Sequence, residues 1–440
     1  MHHLAKHGYP TKFRQFGGLT NINIDNKPAI SVHRISGYTR TIKKTIGGKF
    51  QDHTIQSVFQ PIYSLSHQRA IGYEALARVF DDDQKRINPA TFFGSIEDEY
   101  SLVVLDRLCR SLHLQNFSRF EDNLNWVFLN TSPRVAVVGR KYGSFFNELL
   151  SSINIPARQI VVEIIEHEES EMEQLEDTVE YFRSLGCLIA IDDFGTGYSN
   201  FERIWSLKPD IIKLDRSMIQ QASTSDKIRG LLPGIVSLLH QSGTLVLIEG
   251  VENKTQAMIA LECDADFVQG FYFSRPVSHL EQIKSNDTVF KHLFNNYNSM
   301  MKRKSKDSGL LIERYKKVFM DTVEKIKEGQ SLNCACNELF KDQSIVRGFL
   351  LGDDGIQIGE TVQSNIAASE KNLKLRPIQS AERANWIRRH YVQRAYYHPG
   401  QIQISRPYLS ITGAHMCMTL SMMFDTPTGE LVFCCDVDLG

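Results

Sequence analysis

Residues 188–198 read Leu188-Ile189-Ala190-Ile191-Asp192-Asp193-Phe194-Gly195-Thr196-Gly197-Tyr198. An apolar, β-branched run stops on two adjacent aspartates, and a glycine-punctuated turn leads into a helix-like segment. Seven more runs of this kind lie between Thr54 and Pro276: Ser57–Ile62, Ala70–Leu76, Trp126–Asn130, Ile160–Ile164, Asp210–Leu214, Leu245–Glu249 and Asp266–Gln269. Longer amphipathic segments separate most of them. Eight such runs alternating with helices predict an α/β chain with a modified (β/α)8 TIM-like barrel. Only Tyr63 to Arg69 separates the first two runs, too little for a parallel crossover and suited to a hairpin. One strand is therefore expected to run antiparallel to the rest.

Each barrel run from the second onward ends on, or carries near its end, a polar residue: Glu74, Asn130, Glu163, Asp192-Asp193, Lys213, Glu249 and Gln269. The C-terminal ends of barrel strands converge on one mouth. Four strands would thus bring five carboxylates to a single rim, where they repel one another unless cations intervene. Hard divalent ions with oxygen ligands, Mg²⁺ or Mn²⁺, suit such a set. Two adjacent aspartates can serve two ions, and a pair about 3.5–4 Å apart forms a clamp for in-line attack on a phosphodiester. One strand-end acid is as readily a solvated loop residue; seven successive polar strand ends are not. The loop Gly195-Thr196-Gly197 is a weak phosphate-cradle pattern, and is read as a loop responsive to metal occupancy.

The rest of the composition narrows the function. A length of 440 residues allows about three domains. Fifty Lys and Arg against 51 Asp and Glu give a net charge of −1, which argues against counterion-driven binding to DNA. The hydrophobic fraction of 42% is too high for a disordered chain. Eight sparse cysteines form no CxxC pair, so reduced core thiols are expected rather than a disulfide framework or zinc knuckle. No run reaches the roughly 18 apolar residues of a membrane span, and the N-terminus lacks a secretory apolar core. A cytoplasmic location is the expectation.

Around the barrel (52–280), residues 1–51 read as a polar, partly ordered arm. Residues 281–330 read as a helical linker, with Leu311, Tyr315, Phe319 and Val323 at helical spacing. Residues 331–440 suggest a small α+β domain. Val346–Leu351 and Ile356–Val362 flank a turn, Met416–Phe424 and Glu430–Asp438 flank another, and a helix is expected around Ala381–Tyr396.

In family order, Gln60-Pro61, Glu74-Ala75-Leu76-Ala77-Arg78, Asn130-Thr131-Ser132-Pro133, Glu163-Ile164-Ile165-Glu166, Asp192-Asp193-Phe194-Gly195-Thr196-Gly197, Lys213-Leu214-Asp215, Glu249-Gly250-Val251-Glu252 and Gln269-Gly270-Phe271 resemble the EAL domain family. Members of that family hydrolyse cyclic di-GMP. The resemblance implies that Glu74, Asn130, Glu163 and Asp192 hold one divalent ion, and that Asp192, Asp193 and Glu249 hold a second. It implies catalytic parts for Lys213, at the nucleophilic water, and for Glu249, with Glu252 acting from behind the ligands and Glu166 bracing the loop after Asp193. Gln60, Glu74, Leu76, Arg78, Asp215 and Gln269 would form the dinucleotide site, Arg78 on a phosphate and Asp215 near a guanine. The implied product is linear pGpG, the implied assembly a homodimer, and activity should fall in acid as the ligands protonate.

This sequence departs from the family pattern at Ile165, commonly Thr, and at Phe201 and Trp205, commonly aliphatic. The alternative to an enzyme is a non-catalytic cyclic di-GMP receptor that signals through protein contacts. The full complement of acids favours the enzyme. The last 110 residues resemble PAS/Cache sensor domains through Ser405-Arg406-Pro407-Tyr408 and the hairpin ending Asp436-Val437-Asp438, which implies regulation by a small ligand. Arg383, Arg388, Arg389, Arg394 and Arg406, with Trp386 and Tyr391, read either as an anion pocket or, preferably, as a solvated helix face. Cys434-Cys435 reads as core strand, and buried thiols are the default for Cys334 and Cys336.

Overall fold

Eight strands close on one another: β1 (His53–Ser64), β2 (Arg69–Phe80), β3 (Trp126–Thr131), β4 (Ile160–Ile165), β5 (Leu188–Phe194), β6 (Ile211–Leu214), β7 (Leu245–Ile248) and β8 (Phe267–Val268). The computed structural model describes residues 29–42, 44–120, 124–131, 135, 139, 142–165, 172–196, 201–283, 285–364, 381–410 and 416–438. From β2 to β8 neighbouring strands are parallel, whereas β1 is antiparallel to both β2 and β8. The expected reversed strand is the first one. Its tight turn at Leu65–Gln68 leaves no room for a crossover helix.

Helices fill the longer connections, among them Glu99–Ser118, Phe145–Ser152, Met172–Ser184 and Lys254–Glu262. Asp98 caps the first of these by accepting from Ser101 N at 2.8 Å. Because helices cover the outside and side chains fill the inside, the central strands are buried on both faces, as Val161 (0% exposed) and Val162 (1%) show. Residues 29–50, for which the sequence predicts no element, add a helix (Val32–Ser36) and a hairpin (Thr39–Ile42 with Thr45–Phe50). That hairpin pairs onto β1 through Gly48 and Ile55. Ile30, Ile35 and Phe50 join the barrel's outer core.

The chain divides into two compact units at Tyr297/Asn298. The segment rich in Lys and Glu is one 41-residue helix, Asp287–Lys327, whose Phe290 and Leu293 belong to the barrel core. In the second unit, β9 (Ile345–Gly352), β10 (Gln357–Gln363), β11 (Gln403–Ile404), β12 (Tyr408–Leu409), β13 (Met416–Thr426) and β14 (Gly429–Asp438) form an antiparallel sheet. Along β14 the side chains alternate between two cores. Phe433, Cys435 and Val437 pack with Tyr315, Phe319 and Val323 of the long helix, while Val432 and Cys434 face Trp386, Tyr391 and Val392. Both predicted hairpins are present.

The predicted helix around 381–396 is shorter, His390–Tyr397. Upstream, the backbone pairs with the β9–β10 turn instead, Trp386 N donating to Gly355 O at 2.8 Å and Gln357 N to Ala384 O at 2.9 Å. Cys336 is buried as expected, but Cys334 is exposed on the four-residue helix Leu332–Ala335.

Candidate active site at the barrel mouth

The barrel interior is plugged by a cluster that includes Ile62, Phe128, Val161, Ala190, Ile211, Leu247 and Phe267, one from each strand except β2, where Gly72 stands. Side chains on a strand return to the same face every second residue. Two residues nearer the mouth, every strand therefore presents another inward side chain: Gln60, Glu74, Asn130, Glu163, Asp192, Lys213, Glu249 and Gln269. All eight are polar. The apolar plug and the polar ring above it are one pattern, repeated around the barrel.

Lys213, only 1% exposed, sits among the acids. Its Nζ lies 2.5 Å from Glu163 Oε1, 2.6 Å from Glu249 Oε1, 3.0 Å from Asp192 Oδ1 and 3.9 Å from Glu74 Oε2. Glu74 is fixed from two sides, accepting from Asn130 Nδ2 at 3.0 Å and from Gln269 Nε2 at 2.8 Å. Burial alone would lower the Lys213 pKa, but Asp192, Glu163, Glu249 and Glu74 hold it well above the usual lysine value. Burial, together with Asp192 and Glu74, pushes Glu249 up to about 8 against the pull of Lys213. Burial also holds Glu163 well above the usual carboxylate range, again opposed by Lys213 and reinforced by Glu74 and Asp192.

Asp193 joins the ring by a local irregularity. Consecutive strand residues point to opposite faces, so Asp192 and Asp193 would normally diverge. Here the pairing of β5 with β6 slips between Ile191 and Phe194, and Asp193 takes a left-handed φ of 56°. This β-bulge re-aims the second carboxylate. Oxygens of Asp192, Asp193 and Glu249 consequently lie within 4.8 Å of one another. Burial, then the charges of Asp192 and Asp215, raises the Asp193 pKa.

Gly270 permits the last contact. A Cβ there would fall 2.1 Å from Val251 O, while Val251 N donates to Gln269 O at 3.0 Å, which ties the β7 and β8 ends together.

The donor set fits divalent cations. With all five carboxylates ionised, as metal ligation requires, one ammonium leaves four negative charges, the charge of two divalent ions. Glu163 Oε2 and Gln269 Oε1 are buried with no hydrogen-bond partner among the described residues. Buried oxygens of this kind are expected to be satisfied, and oxygen donors are what Mg²⁺ and Mn²⁺ take.

Residues 44–276, more than half the chain, match the EAL domain family. The protein belongs to that family. The EAL domain of the YkuI protein of Bacillus subtilis is among its relatives, at 30% identity over 223 residues, covering 50% of this chain and 54% of YkuI. Another is the cyclic di-GMP phosphodiesterase RocR of Pseudomonas aeruginosa, at 27% identity over 256 residues, covering 56% of this chain and 62% of RocR. The matches thus span less than two thirds of these relatives. The crystal structure of YkuI in complex with c-di-GMP and calcium shares the fold over 89% of this chain and 98% of that one, with a TM-score of 0.73 at 23% identity.

Around the EAL ring the other expected residues fall as follows. Gln60 lies directly across from Glu74 in the β1–β2 ladder, and Leu76 and Arg78 follow Glu74 on the same face. The Arg78 pKa is lowered by burial and then by Arg86, with Glu74 opposing. Arg86, not singled out by the sequence, is brought back opposite Phe80 by a short strand, Arg86–Ile87. Asp215 caps the helix Arg216–Thr224, accepting from Ser217 N at 2.9 Å. The exposed Glu252 side chain makes no hydrogen bond or ion pair with the ring among the described residues. Glu166, Ser132, Pro133 and Gly197 lie outside the described residues, as does the Ile165 side chain.

Proposed function

We propose that this EAL domain hydrolyses cyclic di-GMP to linear pGpG. The observation that carries the reading is the polar ring, eight inward side chains, one per strand, which together with the re-aimed Asp193 sets five carboxylates against one lysine. Names of relatives such as RocR support it. Glu74, Asn130, Glu163 and Asp192 would hold one Mg²⁺ or Mn²⁺ ion, and Asp192, Asp193 and Glu249 the other. When bound, the ions supply Lewis acidity for attack of water on phosphorus and for departure of the 3′ oxygen.

The chain's own residues do the rest. Lys213, whose Nζ lies within 3.0 Å of Glu163, Glu249 and Asp192, donates hydrogen bonds at the floor of the mouth and orients a water. Gln60, Leu76 and Arg78 line the β1–β2 side of the mouth, where Arg78 can meet a phosphate oxygen. Gln269, hydrogen-bonded to Glu74, continues that side at the end of β8, and Asp215 stands across the mouth beyond β6. Glu166 and Glu252 retain the positioning parts that the family resemblance implies. The C-terminal unit acts as a PAS/Cache-like regulatory domain, and the chain forms a homodimer.

The test is a chromatographic assay of purified protein with Mg²⁺ or Mn²⁺ and cyclic di-GMP. Formation of pGpG that is abolished by Glu74→Ala upholds the reading. Tight binding without turnover makes the protein a receptor, and absence of both overturns the link to cyclic di-GMP. Light scattering at micromolar concentration checks the dimer, which a monomer mass would exclude.

A further inference from the structure

We propose that the C-terminal unit binds a small organic polyanion, a phosphate ester or a polycarboxylate, between the start of helix His390–Tyr397 and the β11–β12 segment. This inference does not rest on the hydrolase reading of the barrel.

A cavity of about 480 Å³ opens there, lined by Arg389, His390, Tyr391, Arg394, Arg406 and Tyr408 among others. Small-molecule pockets occupy roughly 300–1,000 Å³. Three arginines and a histidine contribute to the wall, and no carboxylate does among the described lining residues. Most clusters of this charge would repel one another on an exposed face. Here the backbone and aromatic packing hold them together.

Arg389 is the central case. Its guanidinium carbon lies 5.8 Å from the Trp386 ring centre and 5.7 Å from that of Tyr408. The Tyr408 ring in turn stacks on Tyr391 at 5.9 Å. The aromatic faces stabilise the cation without using its donors. Arg389 Nε is buried and has no hydrogen-bond partner among the described residues. Nearby Arg347 differs at its Nη2, which is held by Asp436 and Ser410 in the core, although its Nε is unpartnered among the described residues as well. An arginine fork left open beside a cavity matches the planar oxygens of carboxylate or phosphate.

The flanking groups agree with this. Arg394 Nη1 donates to Ile404 O at 3.0 Å, which fixes the side chain along the cavity wall. No side-chain hydrogen bond caps the helix at Arg389, so its first N–H groups add to the positive field. The stacked Tyr391 and Tyr408 offer a flat apolar wall for the organic part of the ligand. Tyr408 Oη also pairs with Thr419 Oγ1 at 2.7 Å, and Thr419 Oγ1 with Asp436 Oδ1 at 2.7 Å. Displacement of Tyr408 by a ligand would therefore reach the centre of the sheet. Of the arginines weighed from the sequence, Arg389, Arg394 and Arg406 line this cavity, whereas Arg383 and Arg388 do not.

The full-length protein in EDTA, with the barrel ligands free of metal, is titrated with adenosine 5′-monophosphate, citrate and inorganic phosphate by calorimetry. Trp386 beside Arg389 supplies a fluorescence readout. Saturable heat with either organic probe is expected, and the preferred probe separates phosphate esters from carboxylates. Arg406 is exposed, so Arg406→Glu leaves the fold intact and should weaken binding by about tenfold or more. Arg389→Met should abolish binding and the fluorescence change together. The proposal is overturned if none of the probes saturates, or if Arg406→Glu binds them as tightly as the wild type.

Discussion

Lys213 Nζ and Glu163 Oε1 meet at 2.5 Å at the floor of the mouth, with side-chain exposures of 1% and 0%. This pair is the hub of the mouth, since Glu249, Asp192 and Glu74 gather around the same ammonium. Removing one member of a buried ion pair leaves the other uncompensated, at a cost of about 3–5 kcal/mol. Lys213→Met should therefore lower stability by about that much in EDTA. Millimolar Mn²⁺ should restore more of the melting temperature in the variant than it adds to the wild type. Calorimetric scans of both proteins with and without metal check this.

Because the lysine neutralises part of the acid cluster, we expect the mouth to keep its shape without bound ions. Chelation should stop pGpG formation while far-UV circular dichroism and the melting transition persist. Collapse of the dichroism signal in EDTA would count against a preformed site.

A different residue governs acid stability on the outer face. His113 is buried, its Nδ1 is 2.8 Å from Ser57 Oγ, and burial pushes its pKa down to about 3. The folded value lies below the unfolded one near 6.5. The neutral ring therefore stabilises the fold fully above about pH 6.5, and that contribution is lost as pH falls toward 3, at up to about 1.4 kcal/mol per unit. His113→Gln, which keeps a partner for Ser57, should flatten this part of the profile. Urea midpoints at pH 7 and pH 4.5 should differ less in the variant.

Gly270→Ala probes the junction of β7 and β8. The new Cβ would meet Val251 O at 2.1 Å and Val251 N at 2.3 Å, both of them backbone. We expect a loss of about 1–3 kcal/mol, with weaker Mn²⁺ binding because Gln269 and Glu249 shift with the strand ends. Chemical denaturation and metal titration report the two effects separately.

Much of the mouth was legible because the chain repeats one local rule. Val161 and Glu163, Ala190 and Asp192, Ile211 and Lys213, and Leu247 and Glu249 are each an apolar residue followed two places later by a polar one. Alternation along a strand converts that spacing into depth within the barrel. The reversed β1 could be read from its short turn for the same kind of reason. What stayed hidden depends on tertiary pairing. Arg86 approaches Arg78 only because a hairpin returns it, and Thr45–Phe50 is a strand only because β1 offers its edge. Residues 381–389 gave up helix for hydrogen bonds to the β9–β10 turn, a competition invisible in local propensity.

The slip between Ile191 and Phe194 makes chain length at this point part of the chemistry. One residue fewer would straighten the ladder and swing a carboxylate toward the helical shell, and one more would carry Phe194 out of its seat beside Leu214. Lineages of this protein should tolerate exchange of the flanking apolar residues here far more readily than an insertion or deletion of a single codon.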